Sequence, residues 1–121
     1  MQEINVFFKP DQVLVDRQLV GIHGGEPVLW QFHSVDPKVQ WVDVAFDKFA
    51  FFEDRGGGLV PRRYTDVRNG HGQLLGTAPH LPSPASTIDK YWVKGYETQA
   101  NAKNSADAVS SLDPEIIVCD P

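Results

Sequence analysis

The side chains best suited to metal or nucleophilic chemistry in this 121-residue chain are four histidines and one cysteine. No pair of histidines has the H-x-H, H-x-x-x-H or H-E-x-x-H spacing that places two imidazoles on one structural element. His71 and His80 lie in the same segment and could meet in space, with Asp66 as an oxygen ligand. They are therefore weak candidates for a metal site, and solvated loop histidines would give the same sequence.

The only cysteine, Cys119, lies in the apolar run E-I-I-V-C at residues 115–119. Ile117 and Cys119 alternate with Ile116 and Val118, and a strand that is apolar on both faces is typical of one covered on both sides. Free cysteine behaves there as a small apolar residue. The alternative is a reactive or metal-binding thiol. A single cysteine allows no internal disulfide.

Arginine is concentrated in one part of a protein whose net charge is -5. Four of the five arginines lie between Glu53 and Thr87. Guanidinium groups match carboxylates and phosphates, so the segment P-R-R-Y-T-D-V-R (61–68) predicts a binding surface. Its candidate residues are Arg62, Arg63, Tyr64 and Arg68. Internal pairing of these arginines with Asp54, Asp66 or other acidic residues is the alternative.

Several classes of function lack the residues they need. R-G-G-G-L (55–59) has no following G-K-[ST], so it is not a phosphate-binding P-loop, and no G-x-S-x-G marks a serine nucleophile. The acidic charge argues against nucleic-acid binding, and no apolar stretch is long enough to cross a membrane. No signal peptide is visible, which predicts a cytoplasmic protein if Met1 is native. We expect no cofactor.

Alternation of apolar and polar residues predicts an all-β protein of one domain, residues 1–121. The predicted strands are 3–8, 12–22, 27–33, 39–46, 90–98 and 115–119, with at most one short helix within 100–112. The predicted core contains Trp30, Phe32, Val44, Phe46 and either Ile116 or Ile117. Many short strands separated by turns favour a β-sandwich.

Trp41 is a further candidate binding residue. Val42, Val44 and Phe46 share one face of their strand, so Trp41 is expected on the outer face. An exposed tryptophan indicates a partner surface, although a second covered face would also explain it.

Residues 53–87 are predicted to form one long irregular insertion, because they contain six of the ten glycines and four of the nine prolines. Such a segment is usually functional or disordered. We expect it to carry recognition on a rigid scaffold, so that deleting residues 56–86 would abolish association while leaving the fold intact. Disorder, or a structural cover over one sheet, are the alternatives.

The order of apolar positions resembles that of the cupredoxin-like sandwiches. Its motifs are F-x-P, V-x-V, G-G-x-x-V-x-W-x-F, V-x-V-x-F-D, F-F, Y-x-V and D-P-E-I-I-V. The residues that carry them are Phe8, Pro10, Val13, Val15, Gly25, Val28, Trp30, Phe32, Val42, Val44, Phe46, Asp47, Phe51, Phe52, Tyr91, Val93 and Asp113 to Val118. The resemblance spans most of the chain outside residues 53–87, and implies a Greek-key sandwich of about seven or eight strands.

Cupredoxins usually hold copper with two histidines, a thiolate and a weak thioether. The family's pattern needs a late loop with cysteine, histidine and methionine, and an earlier histidine that here falls at Val42 or Asp43. Between Tyr91 and Val118 there is no cysteine, histidine or methionine, and Met1 is the only methionine. The resemblance therefore implies a member without the type 1 copper site.

These observations favour a non-catalytic, copper-free cupredoxin-like module that acts in protein binding or assembly. Its partner would be another protein or a second copy of the chain, and neither nucleic acid nor a membrane is expected. One alternative is a metal-binding protein that uses loop histidines. Another is a small β-sandwich enzyme of unknown class, which no motif in the sequence supports.

Overall fold

The computed structural model describes residues 1–82 and 85–120, with only the backbone described at residue 120. The described part contains twelve strands and one short helix. In chain order they are β1 (Gln2–Lys9), β2 (Gln12–Val15), β3 (Leu19–His23), β4 (Pro27–Ser34), β5 (Trp41–Phe46), β6 (Phe52–Glu53), β7 (Leu59–Val60), β8 (Arg62–Asp66), β9 (His71–Thr77), β10 (Ala85–Tyr96), α1 (Gln99–Asn104), β11 (Ser110–Leu112) and β12 (Glu115–Asp120).

The strands form two main sheets that pack face to face. One sheet has four strands in the order β2-β1-β4-β9, and the other has the order β3-β12-β10-β5-β8, with β11 also paired to β10. β6 and β7 make a separate two-stranded pair. The pairs β1–β4 and β3–β12 are parallel, and the remaining pairs are antiparallel. The all-β sandwich predicted from the sequence is confirmed.

Trp30 stands at the centre of the core between the sheets. It projects from β4, is fully buried, and meets Phe46 of β5 and Tyr91 of β10 edge to face at centroid distances of 5.8 and 5.9 Å. The predicted core residues Trp30, Phe32, Val44, Phe46 and Ile116 are all buried. The alternation of apolar residues therefore assigned the inner face correctly on these strands.

The predicted strand 12–22 is wrong, because this stretch forms two strands in different sheets. The break lies at Asp16, whose carboxylate accepts a hydrogen bond from the backbone N–H of Asn5 at 2.9 Å. The backbone N–H of Asp16 in turn donates to the carbonyl of Asn5 at 3.0 Å. These bonds end the β1–β2 pairing, and the chain then crosses to the edge of the larger sheet as β3.

The prediction of an irregular insertion over 53–87 is also wrong for its described residues. β8 forms one edge of the larger sheet, and β9 forms the neighbouring edge of the smaller sheet. Two of the six glycines that indicated irregular structure, Gly72 and Gly76, lie at inward positions of β9, where backbone and side chains approach closely. A Cβ on Gly76 would lie 3.0 Å from the carbonyl oxygen of Phe51, and one on Gly72 would lie 2.5 Å from that of Asp66. Residues 83 and 84 of this segment lie outside the described residues.

β12 is covered on one face and not on both. Ile116 and Val118 are fully buried, whereas Ile117 and Cys119 are only half-buried. The predicted packing of Cys119 in a strand covered on both sides is therefore wrong, and this free cysteine lies on the outer face beside His23 and Ser86 in the ladder. The reason is that no further layer packs over this end of the larger sheet in the described part of the chain.

Helix α1 confirms the single short helix predicted within 100–112. Its N-terminus is capped by the hydroxyl of Thr98, which accepts a hydrogen bond from the backbone N–H of Asn101. Ser105 ends it in a left-handed conformation, at φ 52°. No helix among the described residues is both long and apolar enough to span a membrane.

Candidate binding surface on strands 5 and 8

Strand β5 decides which side chains reach the outer face of the larger sheet. Val42 and Val44 are buried in the core, and successive side chains of a strand point to opposite faces, so Trp41 and Asp43 point outward. β8 pairs antiparallel with β5 and places Tyr64 opposite Asp43. The register therefore gathers these three side chains on one face, as expected for Trp41.

The side chains of Trp41, Tyr64 and Arg68 contact one another on this outer face. The rings of Trp41 and Tyr64 meet edge to face, with centroids 6.1 Å apart. The guanidinium carbon of Arg68 lies 5.0 Å from the centre of the Trp41 ring, within cation–π range. Asp66 holds Arg68 in place by accepting bonds from its Nη2 at 3.0 Å and its backbone N–H at 2.8 Å. Trp41 is thus half-covered by an arginine that remains largely exposed.

Arg62 has a structural task that the sequence did not reveal. Its Nε donates to Oδ2 of Asp43 at 2.8 Å, and the Asp43 side chain is only 1% exposed. Its Nη1 and Nη2 donate to the carbonyl oxygens of Lys103 and Ala102 at the end of α1. All three nitrogens of Arg62 are therefore engaged within the protein. Of the five predicted binding residues, Arg62 is the one whose polar groups are least free for a partner.

Asp43 is the buried acceptor of this cluster. Burial raises the pKa of the Asp43 carboxyl, and the hydrogen bond and charge of Arg62 oppose the rise. The hydroxyl of Tyr96 donates to Oδ2 of Asp43 at 3.2 Å and lies 3.3 Å from Oγ of Ser105. Oδ1 of Asp43 has no hydrogen-bond partner among the described residues. The cluster fastens α1 to the sheet and closes one side of the outer face.

The side chain of Arg63 points to the opposite face of β8 from that of Arg62. The Arg63 side chain is exposed and makes no hydrogen bond or ion pair with the described part of the chain. It lines a groove of about 560 Å³ with Glu53, Arg55 and Tyr64, and an adjoining groove of about 360 Å³ whose far wall is β9. An uncompensated cation therefore lies between the edges of the two sheets.

The backbone of β8 adds unpaired hydrogen-bonding groups to this edge. The N–H of Phe46 donates to the carbonyl of Pro61, and the N–H of Val67 donates to that of Gln40. Because bonded and non-bonded pairs alternate in an antiparallel ladder, Arg63 and Thr65 bond to β5. The N–H and C=O of Tyr64 then point away from β5, toward the free edge of the sheet.

His71 and His80 do not come together. His71 begins β9 opposite His33, whereas His80 follows the far end of β9 and its ring lies beside Gly25, in the turn before β4. Asp66 is engaged by Arg68. Within residues 1–82 and 85–120 no group of three or more histidine, cysteine and acidic side chains is arranged to hold a metal ion. The partner of His71 is His33, which the sequence analysis did not single out.

The importance of Asp43 was also missed, although the sequence contained a signal for it. An acidic residue between two buried valines must point away from the core and find a cation if it is covered. The covering helix lies about sixty residues later in the chain, so its position follows from the fold and not from a local pattern.

No family model matches this sequence, and no curated protein matches it significantly. Among solved structures, the chain is similar to the McoA multicopper oxidase of the hyperthermophile Aquifex aeolicus, with a TM-score of 0.54 and 8% identity over 98% of this chain. It spans 29% of that oxidase. It is also similar to dithionite-reduced auracyanin from the photosynthetic bacterium Roseiflexus castenholzii (TM-score 0.44, 9% identity, 100% of this chain and 98% of that one). A third similar structure is Fet3p, a multicopper oxidase that functions in iron import (TM-score 0.44, 6% identity, 97% of this chain and 27% of that one). At such low identity the likeness concerns the fold alone, and that fold is a cupredoxin-like sandwich.

Proposed function

We propose that this protein is a non-catalytic cupredoxin-like module without type 1 copper, which binds an extended acidic segment of a protein partner along strand β8. The observation that carries the proposal is Arg63, an exposed guanidinium with no partner in the described part of the chain, at the free edge of a sheet. A carboxylate of the partner would pair with it. The backbone of the partner would continue the sheet.

The free edge supplies the main-chain part of this binding mode. Extended peptides add to exposed sheet edges through backbone hydrogen bonds, and side-chain pockets beside the edge give specificity. The N–H and C=O of Tyr64 are directed to that edge, and the groove of about 560 Å³ beside Arg63 and Tyr64 can receive side chains. The rest of the sandwich holds the edge rigid.

The residue types around the edge favour a protein partner. Tryptophan, tyrosine and arginine are the residues most enriched at the energetic centres of protein interfaces. Trp41, Tyr64 and Arg68 present these groups in one pre-arranged cluster. Because the protein is acidic overall, with a net charge of -5, a cation at one edge also gives an acidic partner a preferred place to dock.

The donor set supports the copper-free part of the proposal. Type 1 copper takes two imidazoles and a thiolate, with a weak axial ligand. Cys119 has His23 beside it in the ladder, but the family's early histidine position coincides with a buried valine or with Asp43, which is bonded to Arg62. The only methionine is Met1.

A labelled peptide of alternating valine and glutamate is a suitable probe, with fluorescence anisotropy as the readout. We expect it to bind the wild type, and Arg63→Ala to weaken binding about tenfold, the loss typical of a central interface arginine. Lys9→Ala, which removes an exposed cation from another sheet, should leave binding unchanged. On binding, the amide of Tyr64 should become protected from hydrogen exchange.

One further peptide separates strand addition from simple attraction of charge. A peptide of equal charge with proline in place of valine lacks the N–H of every second residue and cannot form a continuous ladder, so we expect no binding above background. Equal binding of both peptides, or equal weakening by Arg63→Ala and Lys9→Ala, would reject the proposal. In that case Arg63 serves only to keep the edge from pairing with other chains, a common use of charge on edge strands.

A further inference from the structure

Two histidines lie side by side on the outer face of the four-stranded sheet, whereas β8 belongs to the other sheet. His33 of β4 pairs directly with His71 of β9. Their rings are 5.3 Å apart between centroids, at an interplanar angle of 90°. The ring of Phe7 on β1 stacks on the other side of His33 at 4.8 Å. His33 is therefore held between an aromatic ring and a second imidazole.

A chain of hydrogen bonds favours one tautomer of His33. The carboxylate of Asp16 accepts from Nδ2 of Asn5 at 3.1 Å and from its backbone N–H at 2.9 Å. This orients the Asn5 side chain so that its Oδ1 faces Nε2 of His33, at 3.2 Å. An amide oxygen accepts but does not donate, so this contact favours the tautomer with the proton on Nε2. Nδ1 of His33 is then the ring nitrogen with a free lone pair.

This arrangement is the one that metal-binding histidines have in proteins. A ligating imidazole usually donates its second ring N–H to a carboxylate or carbonyl oxygen, which fixes the tautomer and raises the basicity of the other nitrogen. Two imidazoles bound to one Zn²⁺ through bonds of about 2 Å in a tetrahedral arrangement have ring centroids about 5 Å apart. The 5.3 Å between the ring centroids of His33 and His71 agrees with that distance.

We propose that Nδ1 of His33 and a ring nitrogen of His71 together bind a divalent transition-metal ion of the Zn²⁺, Ni²⁺ and Cu²⁺ class, which imidazole favours. Water completes the coordination, because His71 is exposed at the sheet edge. Asn5 and Asp16 act as the outer partners that orient His33. This site is separate from the peptide edge proposed above and does not depend on it.

Calorimetric titration of tag-free protein with ZnCl₂ at neutral pH tests the site. We expect single-site binding by the wild type, and loss of at least about tenfold in affinity for His33→Ala and for His71→Ala. Asn5→Leu keeps both ligands but removes the orienting oxygen, and should weaken binding about tenfold. His71 is exposed, so His71→Ala should fold normally, as thermal unfolding would verify.

Three control variants exclude other sources of binding. His80→Ala should bind as the wild type does, and so should His23→Ala and Cys119→Ser, which remove the neighbouring imidazole and thiol of β3 and β12. Wild-type protein that fails to bind Zn²⁺, or binding that survives His33→Ala or disappears in Cys119→Ser, would overturn the proposal. Long-range nitrogen NMR gives an independent readout, because the metal-free protein should hold His33 with its proton on Nε2. A proton on Nδ1 would also overturn it.

Discussion

Nε of Arg62 lies 2.8 Å from Oδ2 of Asp43, and the next residue along β8, Arg63, has no ionic partner in the described part of the chain. Two adjacent arginines therefore have opposite roles. Arg62 satisfies a buried carboxylate and the last carbonyls of α1, whereas Arg63 remains available at the edge. The pleat of the strand separates them, because consecutive side chains point to opposite faces.

Replacing these two arginines separately should give very different stabilities. Arg62→Ala leaves Asp43 buried without its cation, and breaking a buried pair in this way costs about 3–5 kcal/mol. Arg63→Ala removes an exposed side chain and should change the free energy of unfolding by less than about 0.5 kcal/mol. Urea denaturation measures both. Similar losses in the two variants would show that the division of roles is wrong.

Tyr91 should make the protein sensitive to alkaline pH. Burial raises the pKa of Tyr91 from 10.0 to about 12, so the unfolded chain loses the phenolic proton at a lower pH than the folded one. The stability that Tyr91 contributes is complete below pH 10 and is lost as the pH rises through 12.

Tyr91→Phe isolates this contribution. The Tyr91 hydroxyl is buried without a hydrogen-bond partner among the described residues, so its removal should cost little stability at neutral pH. Between pH 10 and 12 the free energy of unfolding should fall less steeply in Tyr91→Phe than in the wild type. Parallel pH profiles for the two proteins would contradict the assignment.

Deleting residues 56–86 should unfold the protein, contrary to the expectation from sequence that the fold would survive. The deletion removes β8 and β9, the edge strands of both sheets, together with the buried side chains of Val67 and Leu74. Loss of a cooperative unfolding transition, followed by circular dichroism, is the expected result. A deletion protein that unfolds cooperatively at the wild-type temperature would mean that these strands add nothing to the core.

Cu²⁺ added to the protein should give no intense visible absorption. That band requires copper bound to a thiolate within a set of two imidazoles and one cysteine. Cys119 has one neighbouring histidine in the ladder, His23. A blue protein whose colour disappears in Cys119→Ser would disprove the copper-free proposal, whereas weak absorption that depends on His33 would agree with the bis-histidine site.

Local alternation was sufficient to assign most of the sandwich. Val42, Val44 and Phe46 repeat every second residue, and this period alone places them in the core and Trp41 on the outer face. The same reasoning failed where the inward residue was glycine, as at Gly72 and Gly76, because a residue without a side chain leaves no apolar signal. It also failed at Asp16, where a hydrogen bond to the side chain ends the pairing of β2 with β1. Beyond this point the chain crosses to the other sheet.

The residue types at the candidate sites were determined by the sequence, but their partners were decided by the tertiary structure. The concentration of arginine near residues 62–68 is visible in the sequence, whereas the pairing of Arg62 with Asp43 depends on the register between β5 and β8. The sequence offered His80, nine residues away, as a weak candidate partner of His71, but His71 faces His33, thirty-eight residues away, because β4 and β9 are hydrogen-bonded neighbours. Strand order and register depend on how the whole set of apolar faces is buried together, so no local pattern contains them.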